Sequence, residues 1–351
     1  MSPGFWRGRR VLLTGHTGFK GAWLLLWLER MGAEITGLAL APPTMPSLFA
    51  LAAPWAGLRH IEGDIREPAI VERAMAESDP EIILHLAAQA LVRPGYRDPR
   101  GTYDSNVMGT LNVLDAARRA RNLRAVLVVT TDKVYENPET GEPFREDMPL
   151  GGHDPYSSSK ACAEILTASY ARSFFKSGAA VATARAGNVI GGGDWAEDRL
   201  IPDLIRALDA GRPVVLRHPS AVRPWQHVLE PLAGYLSLAE QLVQAPGTAP
   251  GAVNFGPDPK SFLTVAEVVE RLGGHFDGRP GWQRDPGEHP PEAGLLTLSS
   301  SLAERRLGWR SRLDGERALA WTASWYKQRR AGASARTLTL QQIEEYEGLP
   351  S

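Results

Sequence analysis

The sequence of 351 residues contains 43% hydrophobic and 23% charged residues, which is typical of a globular protein with one large or two medium domains. Its formal net charge of −1 argues against nucleic acid or an anionic membrane as the main partner. A single cysteine, Cys162, excludes an intramolecular disulfide, and the most apolar segment, residues 22–28, is too short to cross a bilayer. We therefore expect a cytoplasmic protein with no metal and no membrane partner.

Short apolar runs alternate with helical patterns through the first half of the chain. Such alternation predicts a parallel sheet covered by helices on both faces, and right-handed crossovers make that sheet doubly wound. The predicted strands are 10–14, 34–40, 58–64, 81–88, 124–131 and 180–189, and the predicted helices are 19–33, 68–77 and 106–120.

From about residue 187 the alternation weakens, and glycine, proline, arginine and tryptophan become frequent. We predict an α/β fold in which residues 1–186 form a Rossmann-type domain with a doubly wound parallel sheet. Residues 187–330 are predicted to form a smaller, irregular α/β substrate domain that can interleave with the first, and residues 331–351 a C-terminal tail. Open α/β sheets bind ligands at their carboxyl edge, so we expect the second domain to lie there.

A glycine-rich segment, VLLTGHTGFKG, joins the first predicted strand to the first predicted helix. Gly15, Gly18 and Gly21 permit a tight turn and let backbone N–H groups approach a pyrophosphate at a helix N-terminus. This context predicts a dinucleotide site, and a tight turn without a ligand is the alternative. No acidic residue ends the second strand, so that position leaves NAD and NADP open. Asp64 is a candidate for the adenine end of the dinucleotide and equally for a turn or helix cap.

Tyr156 and Lys160 are spaced at i and i+4, which places them on one face of a helix. A free tyrosine titrates near ~10, so a phenolate base at neutral pH needs a neighbouring cation. Lys160 supplies that charge and can also hydrogen-bond a ribose. With a glycine loop upstream, the pair predicts a catalytic base rather than a surface contact.

Asp132 and Lys133 place a carboxyl group directly beside an amine after the strand predicted at 124–131. Two further proton-transfer groups beside a substrate are what an elimination requires. An ordinary ion pair at the end of the strand is the alternative.

Six motifs together resemble the extended short-chain dehydrogenase/reductase family: TGHTGFKG, GDIR, HLAAQ, VTTDK, YSSSK and RAGNVIGGGDW. The resemblance covers most of the chain. It implies a nicotinamide cofactor, which we expect to be NAD, and a nucleotide-activated sugar as substrate. The residues it implies for the cofactor are Gly15, His16, Thr17, Gly18, Phe19, Lys20, Gly21, Asp64, Ile65, Leu86, Ala87, Ala88, Gln89, Tyr156 and Lys160.

The resemblance also implies catalytic roles. Thr131 and Tyr156 would contact the sugar 4-hydroxyl, with Tyr156 as the base for oxidation at C4 and Lys160 as its partner. In a 4,6-dehydratase, Asp132 would then act as the acid that protonates the departing C6 hydroxyl, and Lys133 as the base that removes the C5 proton. The two groups would titrate as a coupled unit.

For the substrate, Asn188 and Arg223 match family positions that contact the diphosphate. Arg199, Arg217 and Glu292 are further candidates, and for Arg217 a solvated surface residue is the alternative. The expected reaction is NAD-dependent 4,6-dehydration of a nucleoside-diphosphate hexose, with CDP-glucose favoured.

Two other activities remain open. A 4-epimerase, or a dehydratase of a UDP-, dTDP- or GDP-linked sugar, is the first, and a non-enzymatic dinucleotide sensor is the second. The resemblance further implies a homodimer formed through the helices that bear the Tyr-Lys pair.

Overall fold

The computed structural model describes residues 3–176, 178–276, 281–287 and 296–350. Within these residues the strands are β1 (Arg10–Thr14), β2 (Glu34–Ala39), β3 (Leu58–Glu62), β4 (Ile82–His85), β5 (Ala125–Val129), β6 (Ala180–Arg185), β7 (Val189–Ile190), β8 (Val214–Leu216), β9 (Val222–Pro224), β10 (Gln226–His227), β11 (Ala252–Asn254), β12 (Phe262–Thr264) and β13 (Trp282–Arg284). Seven of these described strands form one sheet in the order β11-β6-β5-β4-β1-β2-β3, and each neighbouring pair is parallel.

The described residues also form fourteen α-helices, some of which cover the two faces of this sheet. They are α1 (Pro3–Trp6), α2 (Phe19–Arg30), α3 (Leu48–Leu51), α4 (Pro68–Ser78), α5 (Val92–Arg97), α6 (Pro99–Tyr103), α7 (Gly109–Ala117), α8 (Pro155–Phe174), α9 (Leu200–Asp209), α10 (Leu229–Gln244), α11 (Val265–Gly273), α12 (Ser301–Leu307), α13 (Gly315–Arg330) and α14 (Ala335–Glu347). Helices α2 and α10 share one core with the sheet, and α4, α7 and α8 share the other. The predicted fold class, a doubly wound parallel sheet of Rossmann type, is confirmed.

Strand β1 illustrates why continuous apolar runs form this sheet. Val11 and Leu13 belong to the core that contains α2 and α10, whereas Leu12 belongs to the core that contains α4 and α7. Because side chains alternate along a strand, a strand that is buried on both faces needs apolar residues at every position. The parallel sheet brings the carboxyl ends of β1, β4, β5 and β6 to one edge, where the predicted site residues follow.

Several elements are shorter than predicted. The strand predicted at 180–189 ends at Arg185 and resumes as β7, because Asn188 has a φ of 49° in the left-handed region. The helix predicted at 106–120 starts as a π turn, Asp104–Met108, and continues as α7. The strand predicted at 124–131 ends at Val129, just before a 3₁₀ turn, Asp132–Val134.

The main sheet continues beyond residue 186. Strand β11 pairs with β6, and α10 packs on β5 and β6, so the second half of the chain contributes to the first sheet. The division into domains 1–186 and 187–330 stays a prediction, with the interleaving that the sequence allowed. Elsewhere in the described part of the chain, strands pair two by two: β7 with β10, β8 with β13, and β9 with β12.

Residues 331–351, expected to be a tail, contain helix α14, which packs against α2. The indole of Trp27 donates to Glu347 at 2.8 Å, and the hydroxyl of Tyr346 donates to the buried carboxylate of Glu230 at 3.0 Å. Tyr346 and Ile343 are fully buried. The helix is therefore part of the main core.

No helix in the described ranges combines the length and hydropathy needed to cross a bilayer. The same residues contain no group of three or more His, Cys, Asp or Glu side chains that is arranged to hold a metal ion.

Candidate active site

The glycine loop lies between β1 and α2 at the carboxyl edge of the sheet. Gly15 has a φ of 77°, and a Cβ there would lie 2.6 Å from the backbone nitrogen of Ala87. A Cβ on Gly21 would overlap the carbonyl oxygen of Gly15. Packing within the protein therefore requires glycine at both positions.

Gly18 differs from the other two glycines. It is the N-cap of α2 in an extended conformation, and a Cβ there would make only ordinary contact, 3.4 Å, with the Gly15 carbonyl. The open space in front of Gly18 and the N-terminal N–H groups of α2 form a cradle that fits a pyrophosphate. On this geometry, the loop fits a dinucleotide.

The side chain of His16 does not face this cradle. Its Nε2 is hydrogen-bonded to Nδ1 of His60 at 2.7 Å, and its ring makes an edge contact with Phe49. Burial, followed by the nearby His60, lowers the pKa of His16 to about 3. The Thr17 hydroxyl likewise donates to the Leu40 carbonyl oxygen at 2.9 Å. Phe19 is half-buried, with its ring toward Gly191. In His16 and Thr17, then, the backbone rather than the side chain is available to a cofactor.

Lys20 points toward the predicted proton-transfer groups. Its half-buried ammonium group interacts electrostatically with Arg199, Asp132 and Lys160. Burial, followed by the positive charge of Arg199, lowers the pKa of Lys20 to about 7, although Asp132 opposes the shift. Lys20 was predicted only as a cofactor residue, and the structure brings it near the catalytic candidates as well.

The loop after β4, residues 86–89, lies beside the glycine loop and is held by buried polar groups. The Thr14 hydroxyl is hydrogen-bonded to Nδ1 of His85 at 2.7 Å and accepts from the Ala87 N–H at 3.2 Å. Burial lowers the pKa of His85 to about 3, so its ring is neutral. The backbone of this segment lies directly against Gly15.

Asn106 is a residue that the sequence analysis missed. Its amide oxygen accepts from the Gln89 N–H at 2.8 Å, and its Nδ2 donates to the Gln89 carbonyl and to Ser159 Oγ, each at 2.9 Å. The Ser159 hydroxyl donates to the Tyr156 carbonyl at 2.7 Å. Asn106 thus joins the cofactor-side loop to α8. A buried asparagine within a helical pattern, where it is unfavourable, was the available signal.

Asp64 and Ile65 follow β3, the edge strand of the sheet on the side of β2. The Asp64 carboxylate accepts from the Arg66 backbone N–H at 2.9 Å and from its guanidinium at 2.6 and 2.8 Å. These hydrogen bonds hold the pKa of Asp64 below its usual range. Asp64 therefore fills the alternative role of a turn cap, and its contact with adenine stays a prediction. Ile65 is buried against Gly109.

Tyr156 and Lys160 lie in the first turns of α8, where Asp154 is the N-cap. Both side chains are buried, and the Lys160 ammonium donates to the Val129 carbonyl oxygen at 2.7 Å. Burial lowers the pKa of Lys160 to about 8, opposed by Glu164. Burial also raises the pKa of Tyr156 to about 12, opposed by a hydrogen bond with Thr131. The tyrosine, lysine and threonine predicted to act at C4 are thus brought together.

Asp132 and Lys133 form the 3₁₀ turn that follows β5. Thr131 Oγ1 donates to Asp132 Oδ1 at 2.9 Å, and Asn188 Nδ2 donates to Asp132 Oδ2 at 3.3 Å. A Cβ on Gly187 would overlap the Asp132 carboxylate, so glycine is required there. Within the described residues, Asp132 is 1% exposed and forms no ion pair with the half-buried Lys133. The ordinary ion pair considered from the sequence is absent from this part of the chain.

The residues predicted to bind the substrate differ in their surroundings. Arg199 is the N-cap of α9, forms an ion pair with Asp194 at 3.6 Å, and acts electrostatically on Tyr156. Arg223 is buried, and its Nη1 donates to the Val222 carbonyl oxygen at 2.9 Å. Glu292 lies outside the described residues.

Arg217 is held rather than freely solvated. Its side chain is 24% exposed, and its Nη2 donates to the Asp198 carbonyl oxygen at 3.2 Å. Arg93, which the sequence analysis did not select, forms an ion pair with the Asp198 carboxylate at 2.7 Å. Arg217 is therefore partly buried and paired with Asp198, and both its contact with substrate and the surface role favoured from the sequence stay predictions.

A nucleotide cradle beside a buried Tyr-Lys pair is typical of nicotinamide-dependent enzymes. Comparison with known proteins supports this enzyme class. The chain belongs to the NAD dependent epimerase/dehydratase family, whose model matches residues 11–256. This confirms the family resemblance.

Two relatives and one solved structure are similar to the chain over nearly its whole length. The chain is 42% identical to a CDP-glucose 4,6-dehydratase of Salmonella typhimurium, over 97% of each protein. It is 30% identical to a dTDP-glucose 4,6-dehydratase of Mycolicibacterium smegmatis, over 91% of this chain and 93% of that one. A crystal structure of dTDP-glucose 4,6-dehydratase from Bacillus anthracis in complex with NAD superposes with a TM-score of 0.75 at 22% identity, covering 92% of this chain and 97% of that one.

Proposed function

We propose that this protein is an NAD-dependent dehydratase that converts CDP-glucose to CDP-4-keto-6-deoxyglucose and water. The observation that carries the proposal is the packing of α8 against the turn Asp132–Val134 at one edge of the sheet, with Asp132 acting electrostatically on Tyr156. Tyr156 and Lys160 on α8 suit oxidation at C4, and Asp132 and Lys133 on the adjoining turn suit an elimination. The 42% identity to a CDP-glucose 4,6-dehydratase over nearly the whole chain supports the same reaction.

The cofactor site is assigned on the geometry of the loop. Backbone N–H groups around Gly18 would hold the pyrophosphate of NAD, the segment 86–89 would line the cleft, and Lys160 would hydrogen-bond a ribose. When bound, NAD supplies the oxidant for C4 and later returns the same reducing equivalent to C6. The assignments of Thr17, Phe19, Lys20, Asp64 and Ile65 as its neighbours rest on the family resemblance.

Tyr156 accepts the proton of the C4 hydroxyl. Because burial raises its pKa to about 12, the phenol needs a cation beside it to act as a base at neutral pH. Lys160 provides that cation from the next turn of α8. Thr131, hydrogen-bonded to Tyr156, orients the hydroxyl that loses its proton.

Asp132 and Lys133 carry out the loss of water. A ketone at C4 makes the C5 hydrogen acidic, and the neutral amine of Lys133 removes it as a proton. The C6–O bond breaks as Asp132 donates a proton to the leaving hydroxyl, and a double bond forms between C5 and C6.

The sugar nucleotide is bound by the polar residues that follow β6. Asn188 is assigned to the diphosphate on the family resemblance, and its hydrogen bond to Asp132 supports a position close to the catalytic turn. Arg199, Arg217 and Arg223 are assigned to the diphosphate and sugar, because a guanidinium can bind two phosphate oxygens at once. Glu292 is assigned to a ribose hydroxyl.

One panel of substrates tests the proposal. The protein is incubated with NAD and CDP-, UDP-, dTDP- or GDP-glucose in deuterated water, and products are followed by mass and by NMR. We expect CDP-glucose to lose water and to gain deuterium at C5. A 4-epimer without label at C5, or turnover only with another nucleotide, would contradict the proposal.

We also infer a homodimer in the cytoplasm. Met108 on the turn before α7 and Ile165 and Phe174 on α8 are 46%, 58% and 52% exposed, and large exposed apolar side chains suit an interface. Light scattering should give the mass of a dimer, and Ile165→Glu should shift it to that of a monomer.

A further inference from the structure

A buried ion pair beneath the active site has no role in the reaction as described so far. Arg185 Nη2 donates to Glu164 Oε2 at 2.7 Å, and both side chains are almost completely buried. Glu164 lies on α8 one turn after Lys160, and Arg185 ends β6. Burying two charges is costly unless hydrogen bonds satisfy their remaining groups. The identity of those partners indicates what the pair does.

One hydrogen-bond partner of Glu164 lies in the segment just before the turn Asp132–Val134. The hydroxyl of Thr130 donates to Glu164 Oε1, and the hydroxyl of Thr183 donates to Glu164 Oε2 at 2.6 Å. Thr130 directly precedes Thr131 and Asp132. Its backbone N–H donates to the Ala184 carbonyl at 2.9 Å. Glu164 therefore fixes the upstream end of the turn.

One hydrogen-bond partner of Arg185 lies in the segment just after the same turn. Arg185 Nη1 donates to the Tyr135 hydroxyl at 2.6 Å, and that hydroxyl donates to Asn254 Oδ1 at 2.7 Å. The guanidinium also lies over the Tyr135 ring, which stacks on Phe144 at 4.7 Å. Tyr135 immediately follows the turn Asp132–Val134, so Arg185 fixes its downstream end.

We propose that Glu164 and Arg185 are positioning residues that hold the turn Asp132–Val134 at both ends, through Thr130 and Tyr135. They thereby set the positions of Asp132 and Lys133 for the elimination, an inference that rests on the proposed dehydratase function.

The effect should be selective for the elimination. Tyr156 and Lys160 lie on α8, a helix of 20 residues with its own backbone hydrogen bonds. Asp132 and Lys133 lie on a 3₁₀ turn of three residues, whose position depends on contacts at its ends. A displacement of about 1 Å can slow a reaction on the order of 10²-fold. Loss of the contacts should therefore slow the elimination far more than the oxidation at C4.

Two variants remove the contacts without changing charge or shape: Thr130→Val at the upstream end and Tyr135→Phe at the downstream end. The matched controls are Thr167→Val and Tyr170→Phe. Thr167 is a buried threonine on α8 whose hydroxyl donates to the Ala163 carbonyl oxygen at 2.7 Å, and Tyr170 is a half-buried tyrosine on the same helix.

In a single turnover in deuterated water, the absorbance of reduced nicotinamide reports oxidation at C4, and label at C5 reports the elimination. We expect both variants to slow the second rate by about 10- to 100-fold. Tyr135→Phe should keep the first rate within about threefold of the parent, and Thr130→Val should slow the first rate less than the second, because Thr131 adjoins Thr130. Both controls should match the parent. Equal losses in both steps, or no loss in either, would overturn the proposal.

A second measurement needs no cofactor or substrate. Amide hydrogen exchange at Thr130, Glu136 and Gly151, whose N–H groups hold this region, should become about tenfold faster in both variants and unchanged in the controls. Unchanged exchange in Thr130→Val and Tyr135→Phe would overturn the positioning role.

If the parent dehydrates no sugar nucleotide, the proposed function fails, whereas the exchange still decides whether the ion pair holds the turn. Because the variants act at opposite ends, either one that folds is sufficient.

Discussion

At the scale of single residues, the site depends on how burial changes the charge of a few groups. Tyr156 is a phenol that burial makes harder to ionise, and Lys160 is an amine that burial makes easier to neutralise. His85, which senses the charge of Lys160, is neutral because burial lowers its pKa to about 3. Burial raises the pKa of Tyr156, the positive charge of Arg199 opposes that shift in this structure, and support of the phenolate by Lys160 stays a proposal.

Replacement of the catalytic phenol tests this assignment. Tyr156→Phe should lower the rate of oxidation at C4 by about 10²- to 10⁴-fold, because the C4 hydroxyl loses its general base. Stopped-flow absorbance of reduced nicotinamide after mixing with CDP-glucose measures the step, with Tyr170→Phe as the control. Formation of reduced nicotinamide at the parental rate in Tyr156→Phe would show that another group takes the proton.

Some residue-scale features follow from the sequence and others do not. The spacing of Tyr156 and Lys160 is local, so the helix alone predicts that they share a face. The charges around Lys20 come from Arg199 and Asp132, which are distant in sequence, and only the tertiary structure brings them together. Asn106 was missed for the same reason, since its partners Gln89 and Ser159 lie on two other segments.

At the scale of elements, the glycines of the loop between β1 and α2 differ in what surrounds them. Gly15 and Gly21 are required by contacts within the protein, whereas Gly18 borders open space. A single methyl group should therefore have different consequences at neighbouring glycines.

Two alanine substitutions test this difference. Gly21→Ala should lower the free energy of unfolding by about 1–3 kcal/mol, because its Cβ would overlap the Gly15 carbonyl oxygen. Gly18→Ala should change stability by less than about 1 kcal/mol but raise the dissociation constant for NAD, because its methyl group would occupy the cradle. Urea denaturation and titration calorimetry measure the two effects. Parental NAD affinity in Gly18→Ala would argue against a pyrophosphate at this position.

The elements themselves were predictable where a long apolar pattern was present. Strands β1 to β6 and helix α2 fall within predicted ranges because their patterns span several residues. The π turn Asp104–Met108 and the 3₁₀ turn Asp132–Val134 could not be predicted, because each is stabilised by side-chain contacts to other elements. These short turns carry Asn106 and the Asp-Lys pair, so the least predictable local structure lies at the candidate site.

At the scale of the whole molecule, the C-terminal helix α14 also contacts a buried carboxyl group of the core, that of Glu230. Glu230 accepts from the backbone N–H groups of Arg312 and Leu313 at 2.9 and 2.7 Å and from the Tyr346 hydroxyl at 3.0 Å. Burial nevertheless raises the pKa of Glu230 to about 7. Stability should therefore depend on pH through this residue.

The sign of this dependence follows from proton binding. Between about pH 4.5 and about pH 7 the folded protein holds a proton on Glu230 that the unfolded chain has lost, so this residue makes stability fall as pH rises. Relative to Glu230→Gln, the parent should lose about 3 kcal/mol of unfolding free energy across this window. Denaturation at several pH values measures the difference. The exposed Glu345→Gln should keep the parental slope, and a parental slope in Glu230→Gln would contradict the assignment.

The main sheet contains a strand, β11, that the sequence analysis did not predict. Strand β11 has three residues, Ala252–Asn254, and pairs with β6 across about seventy positions of sequence. A run of that length has no recognisable strand period. The role of residues 331–351 was also hidden, because Tyr346 and Glu347 meet their partners, Glu230 and Trp27, only in the folded core.

The central claim is that Lys133 removes the C5 proton after C4 has been oxidised, and a single turnover of Lys133→Ala with NAD and CDP-glucose in deuterated water tests it most directly. We predict that reduced nicotinamide forms within about threefold of the parental rate and then persists, while label at C5 and loss of water slow by about 10²- to 10⁴-fold. Label at C5 and the 4-keto-6-deoxy product appearing at the parental rate would contradict the account.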